Sequence, residues 1–266
     1  AGRPAILHHH DLASQRPALA HLFPPPHDPA WAHVTINRLS AAELAGAGIA
    51  ATVVHNRFDP DPPPGRRDLV RRALGVGTSE RLLLHPVRAI ERKNVPAALR
   101  LAEAAGAVYW LLGPPEDGYA RRLEELLSQA SAAVRRGWPQ AGLDMDDAYA
   151  ACDGVLLPSS WEGFGNPSVE SATHDRPLLV GDYPVAAELR SLGFSWFDAA
   201  SEHGRAAFCR FLDAPDPSLL ARNHDVARLE LPLEGLPAAI EPILRSVLRA
   251  PVRSRRAVPP GDWRAP

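Results

Sequence analysis

One stretch constrains the fold of this chain more than any other. Gly154-Val155-Leu156-Leu157-Pro158 is a short apolar run of the kind that forms a strand buried on both faces. Ser159-Ser160-Trp161-Glu162-Gly163-Phe164-Gly165-Asn166 follows, and Pro167 then opens the helical pattern Ser168-Val169-Glu170-Ser171-Ala172-Thr173. Proline suits a first helical turn, where its missing N–H would have no partner anyway. The chain therefore runs strand, glycine-rich turn, helix. Such a turn presents unpaired backbone N–H groups at the positive end of a helix dipole, which attracts anions and sugar hydroxyls. Two carboxylates frame it, Glu162 in the turn and Glu170 inside the helix. In an open α/β sheet, ligands bind beyond the carboxyl ends of the strands, where these residues fall.

The same unit recurs along the chain. Strands are expected at 4–9, 32–36 and 50–54, with a helix over 41–47 capped by Ser40 and a capping box completed by Glu43. The stiff segment Phe58-Asp59-Pro60-Asp61-Pro62-Pro63-Pro64-Gly65 reads as a linker. Beyond it, strands at 82–85, 108–112, 132–136, 154–158 and 177–181 alternate with helices at 67–74, 95–105, 117–130, 144–151 and 184–192. The last of these starts at Pro184 and contains Glu188. Residues 194–197 read as a short strand, and 201–249 as helices. Strand–helix–strand with short turns means parallel sheets flanked by helices, an α/β class. The expected organisation is 1–57 as a partial N-terminal domain, 58–66 as linker, and 67–235 as a C-terminal domain. A terminal helix at 236–249 and a disordered Arg/Pro-rich tail at 250–266 complete it.

Composition excludes several classes. With 29 Lys+Arg against 31 Asp+Glu the formal charge is −2, so nothing favours nucleic acid or an anionic membrane. Cys152 and Cys209 make no disulfide framework and no metal spacing, and fit a reducing, cytoplasmic setting. No apolar run approaches the ~20 residues that span a bilayer, and no signal peptide is expected from the opening residues. There is no Gly-x-Gly-x-x-Gly at a first strand, no Walker loop and no Gly-x-Ser-x-Gly elbow.

Two further clusters carry chemistry. Arg88 and Lys93, the only lysine in the chain, lie five positions apart in one strand-to-helix loop. Cations beyond a strand end, facing helix N-termini, suit a diphosphate; arginine grips two oxygens and lysine supplies a compact charge. Glu170 can accept two hydroxyls of a ribose. At the other end of the chain, His8-His9-His10-Asp11 closes the first strand. It reads as a polar active-site edge, as a solvated loop, or as part of a metal site whose remaining ligands are not evident.

The run Pro158-Ser159 to Glu170 resembles the E-x7-E motif of retaining GT-B glycosyltransferases of family 4, with Glu162 and Glu170 as its two glutamates. Arg88 and Lys93 match the pair that grips the donor diphosphate in that family, and Ala151-Cys152-Asp153 resembles its Ala-Ala-Asp. The resemblance runs from about residue 32 to about 249. It implies a GT-B fold of Rossmann-like sheets, complete in its C-terminal domain. The N-terminal domain is expected to be truncated, its first strands and a glycine-rich loop belonging before residue 4. It implies a nucleotide-diphosphate-sugar donor (UDP-, GDP- or ADP-sugar), an acceptor not identified, no cofactor and no metal. Gly163, Phe164, Gly165 and Asn166 would touch the donor sugar, with Glu162 near its hydroxyls. Glu170 would hold the ribose, and His10 would line the acceptor side. Asn166 and Ser171-Ala172-Thr173-His174 depart from the family's more usual residues, which leaves the donor open. Lys93→Ala and Glu170→Ala are each expected to remove donor binding without unfolding the chain. The alternatives are a sugar-nucleotide-binding module that does not catalyse, and another GT-B enzyme such as an epimerase or phosphorylase.

Overall fold

A computed structural model describes residues 3–15 and 17–249; the expected tail at 250–266 lies outside them. The chain divides into two compact units, residues 1–55 with 234–266, and residues 56–233.

In the first unit, β1 (Ala5–His9), β2 (Trp31–Thr35) and β3 (Ala51–Val53) form a parallel sheet in that order. Helix α1 (Arg38–Gly46) connects β2 to β3. Its cap is Asn37, whose side chain accepts from the Ser40 amide at 2.7 Å, so the expected cap at Ser40 sits one turn too late. Ser40 is instead buried and Glu43 does not box the helix; both accept from the Gln15 amide nitrogen, at 3.0 and 3.1 Å. Asparagine competes well with serine for this position, and a side-chain oxygen three residues before the donor settles the choice. Val34, Val54 and Ile243 form one core, with Ile240 packed against it. The last helix of the described residues therefore packs in this unit, although about 180 residues of chain separate it from β3.

The second unit is built on a six-stranded sheet, all of it parallel. Its strands are β4 (Leu82–His85), β5 (Val108–Leu111), β6 (Val134–Arg136), β7 (Gly154–Leu157), β8 (Leu178–Val180) and β9 (Phe197–Asp198). Their spatial order is β6-β5-β4-β7-β8-β9. The central strands are buried throughout, Leu82 to His85 and Val155 to Leu157 having no exposed surface. That is why they read as continuous apolar runs rather than alternating ones. The helices are α2 (Arg67–Leu74), α3 (Val95–Ala104), α4 (Ala120–Ser128), α5 (Met145–Ala151), α6 (Asn166–Thr173), α7 (Pro184–Arg190), α8 (Glu202–Asp213) and α9 (Pro217–Glu230); α10 (Leu236–Arg249) is the helix packed in the first unit. The proline-rich segment read as a linker is held within the second unit. The Phe58 amide donates to Leu231 O at 2.9 Å, and the Leu233 amide donates back to Phe58 O at 2.7 Å.

Asp153, in the run that resembles Ala-Ala-Asp, is a structural tie at the amino edge of this sheet. Its carboxylate accepts from the Leu82 amide at 2.8 Å, from Arg67 at 2.6 Å and from Arg71 at 3.2 Å. Arg67 also caps the last carbonyls of α5, at Ala150, Ala151 and Cys152. One acid and two arginines on α2 thus fix the register between a strand start and a helix end.

Candidate active site

The strand order places the site. The chain leaves β4 outward to β5 and β6, then returns to put β7 on the other side of β4. The two connections at this switch point diverge, so the crevice beyond the carboxyl ends of β4 and β7 is where an open α/β sheet takes a ligand. The loop after β4 carries Arg88 and Lys93, and the loop after β7 carries Glu162 and leads to Glu170. The sequence places both loops at one edge. Their being nearest neighbours follows from the topology.

The two loops are bonded to each other. The Ser160 amide donates to Arg92 O at 2.9 Å, and the Asn94 side chain donates to Pro158 O at 3.2 Å. The Arg92 guanidinium donates to Trp161 O at 2.8 Å. Asn94 itself has φ 53°, a left-handed conformation that asparagine tolerates, and its side chain caps α3.

At the centre, Lys93 Nζ lies 2.6 Å from both Oε1 and Oε2 of Glu162. The pair is largely out of water, with side chains 10% and 6% exposed. Burial pulls the Lys93 ammonium below the usual lysine range, against the opposing pull of Glu162. Arg92 adds a second cation to Glu162 at 3.2 Å. Arg88, more exposed, pairs with Glu116 at 2.6 Å. The loop cations are therefore compensated by the protein's own acids. An anion binding at this loop would have to displace Glu162 from Lys93 or Glu116 from Arg88. This also changes what Lys93→Ala removes, because Lys93 is the principal counter-charge of a buried carboxylate. Arg92 lies in the same loop, and the sequence reading assigned it no role. Its offset from Lys93 by one residue is the only signal it carried.

Gly165 has φ 83° and immediately precedes α6. A Cβ there would lie 2.6 Å from the Tyr183 hydroxyl. Gly181, just past β8, comes so close to the turn that a Cβ would lie 2.2 Å from Ser159 O. These contacts fix the turn against the loop after β8. Gly165→Ala combines a left-handed alanine with a collision at Tyr183. It is expected to cost about 2 kcal/mol in thermal unfolding of the second unit and to weaken ligand binding. A variant that melts and binds like the wild type would show that the turn has slack.

Glu170 sits about one turn inside α6, and its Oε2 accepts from the Tyr149 hydroxyl at 2.7 Å. Burial raises its pKa, partly offset by that bond. The Asn166 side chain pairs with Asn56 at 2.8 Å, and Phe164 stacks on Phe58 with centroids 6.1 Å apart. The segment read as a linker therefore braces the same turn. Gly163 and Phe164 lie within the turn, and Glu188 lies in α7, whose N-terminus follows Tyr183.

His10 lies in the first unit, just past β1, its ring 4.5 Å from that of His8. The other predicted site residues belong to the second unit. The structure brings together a different histidine set. His9 Nε2 lies 2.9 Å from His33 Nδ1, and His27 Nδ1 lies 3.1 Å from His33 Nε2. Among the described residues, no three of His, Cys, Asp and Glu are placed to hold a metal ion.

A cavity of about 430 Å³ opens at the opposite, amino edge of the sheet. Its arginines are already engaged, Arg67 by Asp153 and Arg81 by Asp213, while Arg176 donates to the Tyr149 and Ala150 carbonyls. It lies at the amino ends of the strands and away from the β4/β7 switch point, so the ligand edge is the other one.

No family model matches the chain. It is 24% identical over 243 residues to mannosylglucosylglycerate synthase of Petrotoga mobilis, covering 73% of this chain and 56% of that protein. It is 34% identical over 146 residues to D-inositol 3-phosphate glycosyltransferase of Mycobacterium tuberculosis, covering 50% of this chain and 30% of that protein. The chain thus spans about half, or less, of the length of these relatives. Among solved structures, Anabaena HepE in complex with UDP and glucose superposes with TM-score 0.75 at 19% identity, over 92% of this chain and 72% of that one. Sucrose-phosphate synthase from Thermosynechococcus elongatus superposes with TM-score 0.63 at 16% identity, over 83% of this chain and 59% of that one. The fold is the GT-B type of these glycosyltransferases. Its α/β class, with parallel sheets and flanking helices, is the one expected from the sequence. No helix of the described residues is long and apolar enough to cross a membrane.

Proposed function

We propose that this chain carries the donor side of a retaining glycosyltransferase of the family 4 type, which transfers a sugar from a nucleotide-diphosphate donor. The observation that carries the reading is the bonded pair of loops at the β4/β7 switch point, with Lys93, Arg92 and Glu162 at its centre. The Anabaena neighbour was solved with UDP and also with UDP-glucose, which supports a uridine donor as the first to try.

In this reading the diphosphate takes Lys93 and Arg88, displacing Glu162 and Glu116. Glu170 holds the ribose. The Gly163–Asn166 backbone meets the sugar, and the released Glu162 accepts from its hydroxyls. The cations stabilise charge that grows on the leaving diphosphate, which is the main demand on a protein in such a transfer. The acceptor attacks from the face that the diphosphate leaves, and a diphosphate oxygen takes its proton. His10 is assigned to the acceptor side. The partners are the donor and an acceptor still to be identified, in a cytoplasmic setting; neither a cofactor nor a metal has a role in the scheme.

The test is incubation with UDP-glucose, followed by proton NMR of the released or transferred sugar. The reading predicts an α-linked product, or α-glucose formed first when water is the acceptor. A β-anomer formed first contradicts retention. Donor binding with no turnover supports the binding-module reading instead.

A further inference from the structure

Glu170 is held by more than its own helix. Tyr149 on α5 is fully buried and donates its hydroxyl to Glu170 Oε2 at 2.7 Å. The Tyr149 ring is stacked on His174, centroids 4.6 Å apart and planes 27° from parallel. His174 has an acceptor beside each ring nitrogen, so a neutral ring donates to one of them and a doubly protonated ring to both. Nδ1 lies 2.7 Å from the Glu170 carbonyl oxygen, and Nε2 lies 3.0 Å from Asp146 Oδ1. Thr173 adds a hydroxyl to the same Glu170 carbonyl at 3.1 Å. Asp146 and Tyr149 lie on α5, while Glu170 lies on α6 with His174 as its C-cap, so the bonds form a closed loop between the two helices.

The loop has a chemical consequence. A carboxylate that must take two ribose hydroxyls needs a fixed plane. Tyr149 occupies one oxygen and leaves Oε1 without a hydrogen-bond partner among the described residues. The tyrosine cannot swing away without breaking its stack on His174, and His174 cannot rotate without losing Asp146 or the Glu170 carbonyl. Burial keeps the Tyr149 phenol protonated, so it stays a donor. The His174 side of the loop rests on a residue at which the sequence departs from the family pattern.

We infer that Tyr149, His174 and Asp146 are positioning residues that orient the Glu170 carboxylate for the ribose hydroxyls of the donor. This rests on the nucleotide-sugar reading of the site. A positioning role differs from a packing role in one measurable way. Packing defects weaken all nucleotides alike, whereas a misaligned Glu170 weakens only those whose ribose hydroxyls it grips.

The experiment is calorimetric titration of the full chain with UDP, GDP and ADP, each beside its 2′,3′-dideoxy counterpart, which offers Glu170 no ribose hydroxyl. The wild type, Tyr149→Phe, His174→Ala and Asp146→Asn are compared, their folding followed by thermal melting. The wild type is expected to prefer the ribonucleotide by about tenfold, the scale of one hydrogen bond to a charged group. Tyr149→Phe and His174→Ala are expected to bring that ratio close to one, and Asp146→Asn to lower it part-way. The dideoxynucleotide affinity should stay within about twofold in all three. If buried Tyr149→Phe does not fold, His174→Ala and Asp146→Asn carry the test. Variants that weaken ribo- and dideoxynucleotide equally, or that keep the wild-type ratio, overturn the positioning role and leave the site assignment standing. A wild type that is folded and binds none of the nucleotides overturns the site assignment itself.

Discussion

Lys93→Ala is expected to cost the second unit about 3 kcal/mol in stability and to remove nucleotide binding at the same time. The stability loss comes from Glu162, which has both oxygens 2.6 Å from the lysine and almost no access to water. Deleting one partner of a buried pair strands the other's charge, and Arg92 at 3.2 Å compensates only in part. The binding loss comes from the missing diphosphate cation, the charge-assisted contact at the centre of the site. The double variant Lys93→Met/Glu162→Gln separates the two. Replacing both charges by neutral groups of similar volume is close to neutral for stability, so the double variant should melt near the wild type and still fail to bind. Urea unfolding of the single and double variants, with nucleotide titration of each, checks this. A double variant as unstable as Lys93→Ala would mean that the pair is not the source of the loss.

The second large effect is acid lability centred on His85. This residue ends β4 with no exposed surface, its Nδ1 2.7 Å from the Tyr109 hydroxyl and its Nε2 without a partner. Burial, with the nearby Lys93 charge adding to it, pushes its pKa down from 6.5 to about 3. The folded state thus binds a proton less readily than the unfolded chain. The stability this contributes is fully present above 6.5 and is lost as pH falls toward about 3. Over that whole interval the loss is about 5 kcal/mol, and between pH 6.5 and 4.5 it is about 2–3 kcal/mol. His85→Gln keeps an acceptor for Tyr109 and cannot titrate. Urea unfolding at pH 6.5 and 4.5 should show the wild type losing that much more than the variant. Equal losses would place the acid sensitivity elsewhere, though not at Asp147, whose contribution is lost only as pH falls below the ordinary value of 3.8. Its carboxyl is held well below the usual range, first by the Arg66 guanidinium and then by backbone amides.

Much of this was legible in the sequence, for reasons specific to the elements. Helix 67–74 and strand 82–85 fall as expected, because a left-handed glycine at position 75 ends the helix and a fully buried strand reads as an unbroken apolar run. The turn from Pro158 to Asn166 declared itself through its glycines and Pro167. The cap of α1 went astray because Asn37 and Ser40 are both competent caps three residues apart, and only the backbone at Asn37 decides between them. Pairing across the site was not legible. That Lys93 meets Glu162 depends on β4 and β7 being neighbours, a fact of strand order across some 70 residues. Tyr149 and His174 were hidden for a related reason. A tyrosine in an amphipathic helix reads as core, and its hydroxyl contact with Glu170 exists only once α5 and α6 are packed.

The most direct measurement is titration calorimetry of this chain with UDP, GDP and ADP, with and without magnesium, repeated on Lys93→Met/Glu162→Gln and on Glu170→Ala. The account predicts that the folded wild type binds at least one of the three, that the double variant binds none of them, and that Glu170→Ala binds more weakly. A folded chain that binds none of them, or a double variant that binds as tightly as the wild type, would contradict the placement of a nucleotide-diphosphate site at the β4/β7 switch point.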